Sequence, residues 1–160
     1  MLLPDLLSHL NAELKLEEGV LKYLYDDATG QRFRKGMTLV GNLTIATGVN
    51  LMEGMDSEEI EWISQHRMQL VIAILLEYPW YVTQDLVRQA AAADIAFNIG
   101  HQGLLGWPKF LGYLDKKDYA NAAMEIKTNK LWISQVHSER ASRIEGMIAT
   151  GEWPKDVDYG

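Results

Sequence analysis

Between Glu18 and Leu51 the hydrophobic pattern changes its period, and this change limits the fold more than any other feature of the chain. On either side, apolar residues recur at three- and four-residue intervals, the spacing of one helix face. Inside the stretch, LYDDATGQ reads as a strand running into a Thr29-Gly30 turn. QRFRKGMTLVG reads as a basic hairpin excursion with two glycines, and NLTIATG as a short β-branched strand. One small β region flanked by helices is an α+β layout. We therefore expect a single domain with a small antiparallel β lobe (about 18–54). A larger all-helical lobe (about 1–17 and 56–154) takes in the first helix, and 155–160 form a tail.

The helical segments carry their own punctuation. Leu6, Leu7, Leu10 and Leu14 predict a helix over 5–17, with Asp5 after Pro4 as its cap and Gly19 as its stop. Glu18 then falls at a helix C-terminus, where the dipole disfavours a negative charge and raises a carboxyl pKa. Asp56 and Glu59 have capping-box spacing. They predict a helix linking the lobes, running to Leu76 and ending near Tyr78-Pro79. The apolar run Met68–Val82 is expected to be a buried core helix. A second helix is expected from about Thr83 to Gly100, then a turn and short helix in GLLGWPKFLGYLDKK. DYANAAMEIKT follows, capped by Asp118, and one or two helices span 131–149 up to Gly151.

Composition closes off several function classes. The 160 residues include no cysteine, so disulfides and thiolate metal sites are excluded. His9, His66, His101 and His137 are scattered, without carboxylates at repeating ligand spacing, so neither a metal nor a cofactor is expected. No G-x-S-x-G or phosphate-binding glycine loop is present. A net charge of −7 argues against nucleic acid as a partner. The N-terminus lacks the basic start and continuous apolar core of a signal peptide. The longest apolar run is shorter than the roughly 20 residues that span a bilayer, so stable membrane insertion is not expected.

Glu18 and Asp27, nine positions apart on two elements, form a pair that glycosidic hydrolysis could use. One acid protonates the leaving oxygen while one carboxylate works on the other face of the sugar. Asp26 competes with Asp27, but adjacent strand residues point to opposite faces, so only one of them can look into a cleft. Taken alone, Glu18 reads as a solvated helix end, and the two aspartates as turn formers before Thr29-Gly30.

More residues join in a fixed order. Glu18-Gly19, then Tyr25-Asp26-Asp27-Ala28-Thr29-Gly30, then Thr44-Ile45-Ala46-Thr47-Gly48 are followed by AFNIGHQGLLGWPKFLGYL and KLWISQVHSERASRIEGMIATGEW. In this order and spacing the chain resembles, over nearly its whole length, the phage-type muramidases of the T4 lysozyme kind, glycoside hydrolase family 24. The resemblance implies a lysozyme-like fold with its active cleft between the lobes. It implies Glu18 as general acid, Asp27 as the ionised partner polarising a water, and Thr44, rather than Thr38, holding that water. It implies inversion, hence carboxyls roughly 6.5–9.5 Å apart. Leu51, Phe97, Asn98 and Gln135 would line the sugar cleft, Asp94 would share the face of Asn98, and Arg140 would pair with Glu18. Trp107, Trp132 and Trp153 are expected in the core. The family's first glycine in T-I-G-x-G is Ala46 here, and its basic residue is Val49, so that supporting ion pair is expected to be absent. The implied activity is cleavage of the β-1,4 bond between N-acetylmuramic acid and N-acetylglucosamine in bacterial peptidoglycan. The implied biology is a monomeric endolysin of host cell lysis, made in the host cytoplasm and reaching the periplasmic cell wall with the help of a holin.

Overall fold

The computed structural model of the protein describes residues 3–17, 20–46, 48–136 and 138–157, with the backbone alone for Leu3, Asp5, Glu17, Leu131 and Gln135. The architecture is α+β, and the chain divides into two compact units, 1–60 and 61–160.

The first unit holds helix α1 (Leu3–Glu17) and a three-stranded antiparallel sheet, β1 (Leu21–Asp26), β2 (Leu43–Ala46) and β3 (Val49–Asn50), in that spatial order. Tyr25 faces Thr44 and Asp26 faces Leu43 across β1 and β2, while Thr44 faces Asn50 across β2 and β3. The register shifts between Leu21 and Tyr25, so β1 is irregular along its length. The turn after β1 closes as its sequence predicts. Gly30 donates its N–H to Asp26 O (2.8 Å) at φ +66°, which a residue without Cβ adopts without strain. The chain then doubles back, with Arg32 bridged to Tyr25 and Phe33 N–H donating to Leu24 O (2.8 Å). A 3-10 turn, Leu51–Glu53, ends the sheet region. Helix α1 falls within residues 1–60. Its Leu6, Leu7, Leu10 and Leu14 are exposed.

Helix α2 (Ser57–Leu75) starts at the expected capping box. Glu59 N–H donates to Asp56 Oδ1 (2.8 Å) and Asp56 N–H to Glu59 Oε2 (3.0 Å). The second unit continues with α3 (Pro79–Val82), α4 (Leu86–Ile99), α5 (His101–Leu105), α6 (Pro108–Asp115), α7 (Tyr119–Thr128), α8 (Lys130–Gln135) and α9 (Ser138–Thr150). Helix α4 begins at 86 rather than 83 because Asp85 caps it, its carboxylate accepting from Arg88 N–H (3.0 Å). Asp118 caps α7 through Asn121 N–H (3.3 Å), as its position predicts. Gly151, at φ +71°, follows α9.

The core of this unit forms around α4, whose Ala91, Ala92 and Ala96 are small enough to let neighbouring helices approach closely. Trp107 stands edge-on to Phe110 (5.7 Å) and to Trp132 (6.3 Å), a geometry that the ring quadrupoles favour. The run from Met68 to Val82 is not the buried helix its composition predicts. Leu75 is fully enclosed and Val71, Ile74 and Tyr78 are half-buried, but Met68, Leu70, Ile72 and Leu76 are exposed. A helix turns one stripe toward its neighbours, and apolar residues off that stripe stay at the surface. Among the described residues no helix is long and apolar enough to cross a membrane.

Candidate functional site

In the first unit the sheet brings together Asp26, Asp27 and Thr44, with Asn42 between them. Asp27 is the first residue past β1, and it continues the ladder by donating its N–H to Asn42 O (3.0 Å). Asn42 answers twice. Its N–H donates to Asp27 Oδ1 (2.6 Å) and its amide Nδ2 to Asp27 Oδ2 (2.9 Å). The Asn42 N–H and then its side-chain amide hold the Asp27 carboxyl below its ordinary value, because both donors favour the charged form. The carboxylate is exposed, acceptor-only and fixed in orientation. Such a group can polarise a water or steady a developing positive charge.

Asp26 has a different task. It is 2% exposed, and it gathers three backbone donors: Val40 N–H on Oδ2 (2.6 Å), with Ala28 and Gly41 N–H on Oδ1 (both 3.0 Å). The Val40 bond, with those from Gly41 and Ala28, lowers its pKa against the opposing effect of burial. Asp26 therefore anchors the far end of the 31–41 excursion to the β1 turn, and only Asp27 offers its carboxylate to solvent. Asp26 ends β1 and Asp27 lies in the turn, so the two differ in exposure because of the turn and its donors rather than through strand alternation. Gly41 has to be glycine for this. An added Cβ would collide with Asp27 Oδ1 and lie 2.7 Å from Ala28 Cβ.

Thr44 is 2% exposed in β2, and its hydroxyl donates to Asn42 O (3.3 Å). Thr38 lies in the exposed excursion. Ala46, where the resembled motif has glycine, adopts φ +58°, a conformation a Cβ disfavours. Val49 is exposed in β3 and Leu51 is half-buried in the 3-10 turn. Glu18, the expected general acid, lies outside the described residues.

The second unit gathers another group. Asp94 and Asn98, one turn apart on α4, share a face and touch. Asn98 Nδ2 donates to Asp94 O (2.8 Å) and Oδ1 (3.3 Å). Arg140 on α9 grips the same carboxylate with Nε on Oδ1 (3.2 Å) and Nη2 on Oδ2 (2.9 Å). The Arg140 partner expected from the resemblance is Glu18, and the described partner is Asp94, which crosses from α4 to α9 as a two-pronged ion pair. Beside this pair lies a cavity of about 310 Å³, lined by Met68, Val71, Ile72, Ala90, Ala93 and Phe97. Phe97 is 48% exposed. A flat apolar wall next to an ion pair suits a polar ligand with one apolar face. Gln135 is the last residue of α8, and its side chain is not among those described.

Trp107 and Trp132 are core residues as expected, but Trp153 is not. It is 40% exposed beyond Gly151, where it lines a surface recess with Arg143, Ile144 and Pro154. The chain past α9 has left the helical pattern, so no helix face draws the indole inward.

Two residues that matter here escape sequence reading. Asn42 is an ordinary loop amide until hairpin pairing brings it to Asp27, and its only local signal is the neighbouring Gly41. Arg88 is the other. It is nearly buried, donates to Ile148 O (2.8 Å) and Ala149 O (3.2 Å), pairs with Asp85, and stands 3.5 Å from the Tyr119 ring centroid. It thereby ties α4 to the end of α9. Among the described residues no group of three or more His, Asp or Glu side chains could hold a metal ion. No known protein-family profile matches the chain.

Proposed function

We propose that this protein is a lysozyme-like muramidase that hydrolyses the β-1,4 bond between N-acetylmuramic acid and N-acetylglucosamine in peptidoglycan, as an endolysin does. The observation that carries the reading is the state of Asp27. It is exposed, kept ionised and aimed by both donors of Asn42, one residue past the strand that pairs with Thr44. Inverting hydrolysis needs such a carboxylate, which must never compete for the proton that the acid delivers. In this mechanism Glu18 protonates the bridging oxygen. Asp27 draws a proton from a water that Thr44 helps to hold, and the water attacks the anomeric carbon from the opposite face. Asn98 and Phe97 offer an amide and a flat ring for N-acetyl sugars, and Arg140, through Asp94, stiffens the α4 face that carries them.

Mass spectrometry of digested peptidoglycan tests this, run on the parent and on Glu18→Gln, Asp27→Asn and Asp26→Asn. New reducing N-acetylmuramic acid ends, lost in Glu18→Gln and Asp27→Asn, are the expected result. Anhydro ends would identify a lytic transglycosylase, which needs one acid and no water. Wall binding without any product would identify a non-catalytic wall-binding domain.

A further inference from the structure

The strands and their connections carry the opposite charge from the sequence around them. Between Val20 and Asn50 there are four basic and two acidic side chains, a net charge of +2 in a chain whose total is −7, so the remainder carries −9. The two acids are Asp26 and Asp27, both already held by donors at the base of the hairpin. Three of the cations, Arg32, Arg34 and Lys35, sit on the excursion itself, are exposed, and belong to no ion pair among the described residues.

The excursion is ordered by its own bonds. Met37 N–H donates to Arg34 O (3.0 Å) and Gly36 takes φ +90°, so Arg34 and Lys35 occupy the tip of a tight turn. Arg32 is bridged to Tyr25, and its guanidinium lies 4.8 Å from the Tyr23 ring centroid. A guanidinium resting on a ring is oriented before it meets a ligand, and its donor fork fits a carboxylate with two bonds. Asp26 fixes the return of the excursion through Val40 and Gly41.

We infer that the 31–41 loop is a binding arm for the free carboxylates of peptidoglycan stem peptides, with Arg32, Arg34 and Lys35 as its contacts. The inference rests on the muramidase reading, because that reading supplies the polymer. The glycan strand is uncharged where the peptides are attached, and the stems bring the carboxylates. In a chain of net charge −7, a cluster of three cations without acidic neighbours on the same segment is a place where an acidic wall is attracted rather than repelled.

Cosedimentation with sacculi stripped of phosphate-bearing polymers tests the arm. The Glu18→Gln protein, which leaves the sacculi intact, is compared with the same protein carrying Arg32→Gln, Arg34→Gln and Lys35→Gln. Binding should weaken about tenfold, the sum expected of three solvent-exposed ion pairs. Amidating the stem carboxyls should weaken the Glu18→Gln protein equally and leave the charge-stripped protein unchanged. Salt should weaken the first and barely affect the second. Lys35→Glu alone, at an exposed tip, should give part of the loss with an unchanged melting temperature. Equal binding by both proteins, indifference to amidation, or binding only to sacculi that keep their phosphate polymers would overturn the arm. Release of reducing ends by the parent from stem-free glycan strands and from intact sacculi is measured in parallel. Because stem-free strands lack the arm's ligand, release from intact sacculi is the deciding readout: its absence, with carboxylate-dependent binding retained, would sink the muramidase reading and leave the arm standing.

Discussion

Asn42 gives Asp27 both of its donors and takes back one, so the two residues lock across the hairpin at 2.6, 2.9 and 3.0 Å. The side-chain bond is the part a substitution can remove without breaking the ladder. Asn42→Ala should leave the fold intact and move the acid limb of the pH–activity profile to higher pH, with a several-fold fall in kcat. Asn42→Asp should do worse, because it sets a like charge beside Asp27. Asp27→Asn should cost on the order of 10²- to 10⁴-fold. A pH–rate profile on permeabilised cells separates the three.

The acid limb of stability follows from the same region. Asp26 and Asp27 both have folded pKa values below their ordinary ones. Their contribution is therefore complete above the unfolded carboxylate value, roughly 3.9, and drains away as pH falls through the lower folded values. Urea midpoints should be level from neutral pH to about pH 4 and should drop below it. Asp26→Asn, which faces the Val40 N–H with a weaker acceptor or a donor, should be less stable at pH 7, and its deficit should shrink toward pH 2.

Ala46 sits in the left-handed region. A Cβ there costs roughly 1–2 kcal/mol, and glycine gives back roughly 0.5–1 kcal/mol through chain entropy. Ala46→Gly should therefore stabilise the protein by about 0.5–1 kcal/mol. Chemical denaturation should show a higher midpoint with an unchanged slope.

Arg88 holds the end of α9 from α4. Arg88→Ala strands two carbonyls and the Asp85 carboxylate, and should destabilise by about 2–4 kcal/mol. Arg88→Lys should recover little, since one ammonium cannot replace a fork that reaches three acceptors and rests on Tyr119. Gly151→Ala should also destabilise, because its Cβ would lie 3.0 Å from the Arg88 guanidinium carbon at a positive φ. Thermal melts of the three variants check this.

The Asp94–Arg140 pair is partly open to solvent, with side chains 30% and 38% exposed. A double-mutant cycle of Asp94→Ala and Arg140→Ala should give a coupling of only about 0.5–1 kcal/mol. A larger effect on sugar binding than on stability would mark the pair as positioning Asn98 and Phe97.

The sequence by itself determined the local grammar. The Asp56–Glu59 box, the Asp118 cap and the Gly30 turn each concern residues within about four positions of one another. Their physics is contained in that span, so the α+β layout and the ends of α1, α2 and α7 could be read directly, while the short α3 and α5 carried no such signal. Tertiary structure alone decided the rest. The Asp27–Asn42 lock spans 15 residues, Arg140–Asp94 spans 46, and Arg88–Ile148 spans 60. No local pattern encodes such partners, because they depend on which strand turns back and which helix faces which. For the same reason α2 keeps Met68, Leu70 and Ile72 at its surface, and Trp153 stays outside the core. Composition states how apolar a segment is, but burial depends on the neighbours that arrive to cover it.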